Sequence, residues 1–391
     1  MPLTALEKTT SKLVDAASTL FLAIELSLKT WKLGFTDGKN GLKEINVAGG
    51  DFGALVEKVK WAKKKFDLAE DCRVLTCQEA GRDGFSVHRQ LVAAGFESLV
   101  VDSSSIEMNR RERQAKTDRL DVRKLVQMLV RYDRSELGEK VWSVLRVPTE
   151  RQEAERRLHR EAERLKKEKT ALGNRIRSLL LTHGIGIGAV SPNTPVDALR
   201  QWNGHPLPDE MREELKRALE RYRLVISQLK TVTNSQKARR EADTPTVGAQ
   251  KERALMELRG IGPVIAGVLA YEFFFREFAN RKEVGAAAGL TGTPFASGSI
   301  HRERGISKAG NPLVRAKMVE LAWLWLRHQP DSDLAQWFQR KWGSGSKGAK
   351  CTGITALARK LLVALWHYVE HGVVPAGAVM KREIEMQVCE A

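Results

Sequence analysis

Residues 20–28 read LFLAIELSL and alternate as a β-strand does, with Leu20, Leu22 and Ile24 on one side and Phe21, Ala23 and Glu25 on the other. Glu25 is the charge in an otherwise apolar strand. An ionised carboxylate in such surroundings costs free energy unless something pairs with it, and a metal ion is one such partner. Downstream, TWKLGF (30–35) runs into the turn Asp37-Gly38 and KEINV (43–47) follows, which predicts an antiparallel meander. Asp51 is placed to cap a helix to about Phe66. A buried strand RVLTCQEA (73–80), a helix over FSVHRQLVAA (85–94), a strand SLVVD (98–102) and a helix carrying KTDRLDVRKLVQMLV (116–130) complete the run. From Leu20 to Tyr132 the hydrophobic period thus switches between about 2 and about 3.6 residues, the mark of an α/β segment.

The order β-β-β-α-β-α-β-α is that of the RNase H-like fold, and it predicts a first domain over residues 18–147. In such a sheet the first strand, the fourth strand and the last helix converge on one edge. Glu25 lies on the first, Glu79 ends the fourth just before Gly81, and Asp118 and Asp121, spaced i, i+3, share one face of the helix. Four carboxylates there would hold two Mg²⁺ about 4 Å apart, an arrangement that activates an attacking oxygen and stabilises a leaving one in phosphodiester transfer. Taken singly, each acid has a plainer reading. Glu25 then discourages edge pairing, Glu79 caps a loop, and the aspartates pair with neighbouring Lys and Arg on a solvated helix face. Placing all four by chance at three positions set by one fold is the less economical account. Arg110, Arg111, Arg113, Lys116 and Arg119 surround the aspartates and suit a phosphate backbone delivered to the metals, or else a merely basic helix surface.

Pro148 and Thr149 close this segment, and Thr149 with Gln152 is set as a capping box for a long helix. Leu158, Ala162, Leu165, Leu172, Ile176 and Leu179 keep a heptad register, as do Met211, Leu215, Ala218, Tyr222, Val225, Leu229 and Val232. Residues 148–240 are therefore expected to be coiled-coil helices that pair with each other or with a second chain. A polar stretch reads as a linker over 241–252, a mostly helical, tryptophan-rich domain spans 253–372, and the tail 373–391 has no strong pattern.

Composition narrows the class. The chain has 391 residues, with 65 Lys and Arg against 48 Asp and Glu, and a net charge of +17 must be solvated or paired with an external polyanion. Nucleic acid is the leading partner. Hydrophobic residues at 42% and charged residues at 29% exclude wholesale disorder and fibre. Cys72, Cys77, Cys351 and Cys389 form no C-x-x-C pair and show no zinc spacing, which fits a reducing cytoplasm. No apolar run approaches the roughly 18 residues of a membrane span, and MPLTALEKTTSK lacks the apolar region of a signal peptide. A soluble protein with no membrane partner is expected.

The third region opens with LMELRGIGPVIAGVLAYEF (255–273), an apolar helix, a turn holding Gly260 and Gly262, and another apolar helix. This helix-hairpin-helix pattern brings backbone close to a phosphate, though a G-x-G turn also serves plain helix packing. The loop GLTGTPFASGSIHRERGISKAGNPLVR (289–315) is dense in Gly, Ser, Thr, Arg and Lys, including Arg302, Arg304 and Lys308, and reads as a ligand-facing surface. Ser297 stands before Gly298 as a candidate nucleophile or as an ordinary turn residue.

In order along the chain, LAIELSLKTW (22–31), CQEAGRDGFSVHRQL (77–91), VVDSSSIEMNRRERQAKTDRLD (100–121), LRGIGPVIAGVLAYE (258–272) and GLTGTPFASGSIHRERGISKAGN (289–311) resemble one family. It is the DEDD-type insertion-sequence transposases with a serine-bearing C-terminal domain, the IS110 group, members of which are bridge-RNA-guided recombinases. The resemblance implies a RuvC-like nuclease domain, a coiled-coil dimerisation segment and a C-terminal transposase domain. By motif the acidic, metal-holding set falls on Glu25, Glu79, Asp118 and Asp121, and the catalytic serine on Ser297. The mechanism implied is Mg²⁺-dependent cutting and rejoining of donor and target DNA through a covalent serine adduct, at a site shared between protomers of a dimer or tetramer. A noncoding guide RNA and a bacterial cytoplasm, at the nucleoid, are implied with it. One departure stands out, because the family's first acid is usually aspartate and here it is Glu25, one methylene longer. A structure-selective nuclease using the acids alone, or a nucleic-acid-binding protein without catalysis, are the competing readings.

Overall fold

A computed structural model describes residues 19–81, 83–106, 118–135, 141–297, 300–308 and 310–381, with side chains at 104, 118–121, 293–297 and 300–304 excepted. Arg110, Arg111, Arg113 and Lys116 lie outside the described residues. The chain divides into two compact units, Met1–Val147 and Pro148–Ala391.

In the first unit, strands β1 (Thr19–Glu25), β2 (Thr30–Thr36), β3 (Lys43–Ala48), β4 (Arg73–Glu79) and β5 (Glu97–Val101) form one mixed sheet in the order β3-β2-β1-β4-β5. The meander β1-β2-β3 is antiparallel, whereas β4 runs parallel to β1 and β5 parallel to β4. Helices α1 (Phe52–Lys65) and α2 (Gly84–Ala93) cover one face, and α3 (Asp118–Arg134) the other. Asp51 caps α1 by accepting the Ala54 amide at 2.8 Å. Leu20, Leu22, Ile24 and Val74 pack with Leu55, Val59 and Leu91 on one side. Phe21, Ala23, Leu75 and Cys77 pack with Leu125, Val126 and Leu129 of α3 on the other. The alternation of β1 thus feeds two apolar layers. It stops sooner than the pattern LFLAIELSL predicts: β1 ends at Glu25, and Leu28 is 74% exposed. Ser27 takes over instead, its hydroxyl and the Thr30 backbone closing a turn.

Helix α3 runs antiparallel to β1 and β4. Its last turn is tied to their starting ends, Asp133 accepting from Arg73 at 2.7 Å and Arg134 donating to the Gly38 carbonyl at 3.0 Å. Midway, the Cys77 thiol lies 3.9 Å from the Leu125 carbonyl. Close approach is possible because Gly34 of β2 faces the helix, and a Cβ there would lie 2.5 Å from Val122 Cγ1 and 2.9 Å from Val126 Cγ2.

The second unit begins with α4 (Glu150–Leu181), opened by the full capping box of Thr149 and Gln152, and α5 (Asp209–Glu241). They form an antiparallel hairpin, in which Gln236 donates to the Leu158 carbonyl at 3.1 Å and Arg239 to the Glu155 carbonyl at 2.8 Å. The two heptad stripes face each other: Leu158, Ala162, Leu165 and Leu172 meet Val225, Leu229 and Val232, and Ile176 meets Met211, Leu215 and Tyr222. Beyond them α6 (Val247–Glu257), α7 (Pro263–Val268) running on as a π-turn (Leu269–Phe273), α8 (Arg281–Ala287), α9 (Pro312–His328), α10 (Asp333–Trp342) and α11 (Lys347–His371) form a bundle cored on Phe273, Phe274, Trp325, Leu357, Leu361 and Leu365.

The stretch 241–252 is helical from both sides, leaving 242–246 as the connection, with Glu252 buried. The start of the tail also has a place: Val379 and Lys381 tie onto the turn after α6, the Arg259 amide donating to the Val379 carbonyl at 3.1 Å and Lys381 to the Ile261 carbonyl at 3.0 Å. These backbone partners leave no hydrophobic periodicity, so sequence could not show them. Among the described residues no helix is long and apolar enough to cross a membrane.

His159 of α4 is 4% exposed and stacks on the Tyr271 ring at 4.8 Å. Burial, then the nearby Arg239 and Arg240, push its pKa down to about 4. Since the unfolded chain binds a proton that the folded chain refuses, stability is full above about pH 6.5 and falls as pH drops toward 4. His159→Gln is expected to flatten that part of a pH series of urea melts. Gly34→Ala is expected to destabilise the first unit by about 1–3 kcal/mol through overpacking against α3, read by the same melts at neutral pH.

Candidate active site

Parallel register sets the geometry of the sheet edge. Thr19 pairs with Arg73 and Ile24 with Gln78, so the next residues, Glu25 and Glu79, end adjacent strands at one level. Both fall on the face that carries Phe21, Ala23, Leu75 and Cys77, the face covered by α3. Because α3 is antiparallel to these strands, its first turn, with Asp118 and Asp121, lies at the same end of the sheet. From Leu125 to Asp121 the helix rises about 6 Å, close to the advance of a strand from Cys77 to Glu79. The structure thus sets Glu25 and Glu79 level on adjacent strands and the first turn of α3 toward the same end of the sheet; side chains are described for Glu25 and Glu79.

Glu25 is half-buried, with Oε2 shielded from solvent. Glu79 is exposed, and its Oε2 accepts a hydrogen bond from Ser103 Oγ at 3.0 Å. Lys32 stands opposite Glu25 across the β1–β2 pair, and its ammonium lies 3.5 Å from Glu44, which also receives Arg123 of α3. Glu44 thus holds two cations beside the acidic edge. Neither Ser103 nor Glu44 was singled out from sequence; the signal for Ser103 was its place directly after the strand SLVVD, and for Glu44 there was none. The oxygen donors suit a hard cation such as Mg²⁺. Among the described residues no group of three or more His, Cys, Asp or Glu is arranged to hold a metal, a set that excludes the Asp118 and Asp121 side chains.

In the second unit the loop expected around Ser297 is a hairpin of β6 (Gly292–Ser297) and β7 (Ile300–Ile306), in which Phe295 pairs with Arg302 and Ser297 with Ile300. Alternation in TPFAS and IHRERGI is too short to stand out amid Gly and Ser. Ser297 is the last residue of its strand, at the hairpin tip, and Arg302 and Arg304 lie on β7. After β7, Lys308 has φ +56° and its carbonyl accepts from Arg315 at 2.9 Å, and Gly310 has φ +97° with no room for a Cβ against the Ala287 carbonyl. Asn311 then caps α9. Lys308, Gly310 and Asn311 thus follow the hairpin with defined backbone geometry. Gly260 also has a positive φ, +89°, and packs against His328, while Gly262 begins α7 with open space around it. The tail ties onto the turn containing Gly260, as described above.

Two carboxylates level at the ends of parallel strands, in a chain of net charge +17, fit a protein that works on nucleic acid. Residues 252–336 match the model of the transposase IS116/IS110/IS902 family. Protein y4rJ of Sinorhizobium fredii, named as a transposase, is 41% identical over 381 residues, covering 93% of this chain and 94% of that protein. The transposase for insertion sequence element IS1328 of Yersinia enterocolitica is 25% identical over 233 residues, 58% of this chain and 66% of that one. The chain belongs to the IS110 family of insertion-sequence transposases, enzymes whose substrate is DNA.

Gly310→Ala is expected to destabilise the second unit by about 1–3 kcal/mol, from the left-handed backbone and the clash with Ala287 together, measured by thermal melting.

Proposed function

We propose that this transposase cuts and rejoins DNA through the carboxylate edge of an RNase H-like, RuvC-like first unit and a serine of the second. What carries the reading is the level placement of Glu25 and Glu79 on adjacent parallel strands, with the first turn of α3 at the same end. Glu25, Glu79, Asp118 and Asp121 would hold two Mg²⁺. Bound there, the ions would supply positive charge against the negative charge that builds up in phosphodiester transfer. The chain's own part is to bind and orient. Shielding of Glu25 Oε2 strengthens its pull on a cation, Ser103 fixes one oxygen of Glu79, and Glu44 keeps Lys32 and Arg123 beside the strand ends, where they meet a phosphate backbone. The extra methylene of Glu25 is taken up by its position at the very end of β1, where the chain leaves the ladder.

Ser297 Oγ attacks the scissile phosphorus. The Oγ–P bond forms as the P–O bond to the leaving strand breaks, and the proton lost by the serine hydroxyl is passed to the leaving oxygen, which departs as a sugar hydroxyl. Arg110, Arg111, Arg113, Lys116, Arg119, Gly260, Gly262, Arg302, Arg304 and Lys308 are assigned to DNA or to a noncoding guide RNA. The active assembly is a homo-oligomer. It acts in the bacterial cytoplasm, at the nucleoid.

Asp121→Asn is expected to lower strand cutting about a hundredfold or more with DNA binding retained. Ser297→Ala is expected to abolish a covalent protein–DNA adduct seen on denaturing gels. Mg²⁺-dependent cutting that survives Ser297→Ala points instead to a nuclease using the acids alone, and binding with no cutting under any divalent ion points to a protein without catalysis.

A further inference from the structure

Glu272 breaks the apolar run YEFFF (271–275), yet it is only 1% exposed. It sits in the π-turn, whose extra residue lets Phe273 face the bundle core while Glu272 meets the helical hairpin. Its Oε2 accepts from Arg156 Nε at 3.1 Å and from Arg160 Nη2 at 2.9 Å, two arginines one turn apart on α4. Arg156 is itself buried and lies over the Phe275 ring at 5.1 Å. Beside this pair, Arg239 of α5 covers the Tyr271 ring at 4.6 Å, and Arg240 reaches the buried Glu252 of α6 at 3.2 Å.

The apolar residues on the two sides do not merge. Those of the hairpin form clusters of their own, and none belongs to the cluster around Phe273, Trp325 and Leu361. The root of the hairpin is thus joined to the bundle by ions, hydrogen bonds and ring contacts. Burial pushes the Glu272 carboxyl up, but Arg160 and Arg156 outweigh it and hold it below the usual carboxylate range. A joint of this kind has one good geometry, because a buried carboxylate that slips off its arginines is costly. Opened to water, the same ions are well solvated and the surface uncovered with them is that of the His159 and Tyr271 rings, so separation costs less than exposing a wholly apolar interface of equal size.

We infer that Glu272, Arg156 and Arg160 form a latch, which seats the helical hairpin on the bundle in one position and releases it as a body while both apolar cores stay closed. Transposition, which must rearrange bound strands between cutting and joining, uses the released position. This proposal stands apart from the metal assignment.

The test compares hydrogen exchange and transposition in the full chain. Glu272→Gln is expected to speed amide exchange in residues 152–162 and 236–241 about tenfold or more, while 318–325 and 357–365 in the bundle core stay protected. DNA binding should persist and transposition should fall. Arg160→Ala, at a side chain 55% exposed, should do the same more mildly and serves if Glu272→Gln does not fold. A combined Arg156→Met, Arg160→Met, Glu272→Met chain should regain protection at the hairpin root yet remain poor in transposition, since an apolar joint does not let go. Unchanged exchange in both weakened variants, equal loss of protection through the bundle core, or normal transposition by the methionine variant would each overturn the latch.

Discussion

Parallel pairing of β1 with β4 is the constraint on which the first unit depends. It sets Glu25 and Glu79 at one level, and it obliges the covering helix to take a direction. Tied at its far end by Asp133 to Arg73 and by Arg134 to Gly38, α3 can present only its first turn at the acidic edge. A glycine with no tolerance for a methyl group, Gly34, keeps the helix close enough for this to matter. Glu25 and Glu79, remote along the chain, are brought level by a sheet held between two layers of apolar packing.

The second unit solves a different problem. A hairpin of two helices, each more than thirty residues long, must be held on a compact bundle. Its apolar stripes are consumed in pairing the helices with each other. What remains for attachment is a small set of polar and aromatic groups, and the bundle meets them with a π-turn that brings Tyr271 and Glu272 to the surface its own core does not need. Midway along the bundle sequence, Lys308 and Gly310, both with left-handed backbone, follow the serine-bearing hairpin. Both devices act through defined backbone geometry.

How much of this was legible depended on the range of the interaction. The strand and helix order, the Asp51 cap and the Thr149 capping box were readable because each is local, written in alternation, 3.6 periodicity or a spacing of three residues. The β6–β7 hairpin was not, since short strands among Gly, Ser and Arg leave no periodic signal. Nor was the role of Glu44, a carboxylate on a strand that reads as an ordinary solvated charge until Lys32 and Arg123 converge on it.

By itself the sequence determined the class of each segment, the four acidic positions as candidates, the two heptad stripes and the positive charge that asks for a polyanion, because these are properties of residue type and spacing. Tertiary structure alone decided that the stripes close on each other within the chain, that β1 stops at Glu25, that the tail straps the turn after α6, and that Glu272 is buried against Arg156 and Arg160. Those outcomes turn on which distant groups meet and which lose their water. Partners separated by more than a hundred residues, as Arg156 and Glu272 are, leave no mark in local pattern.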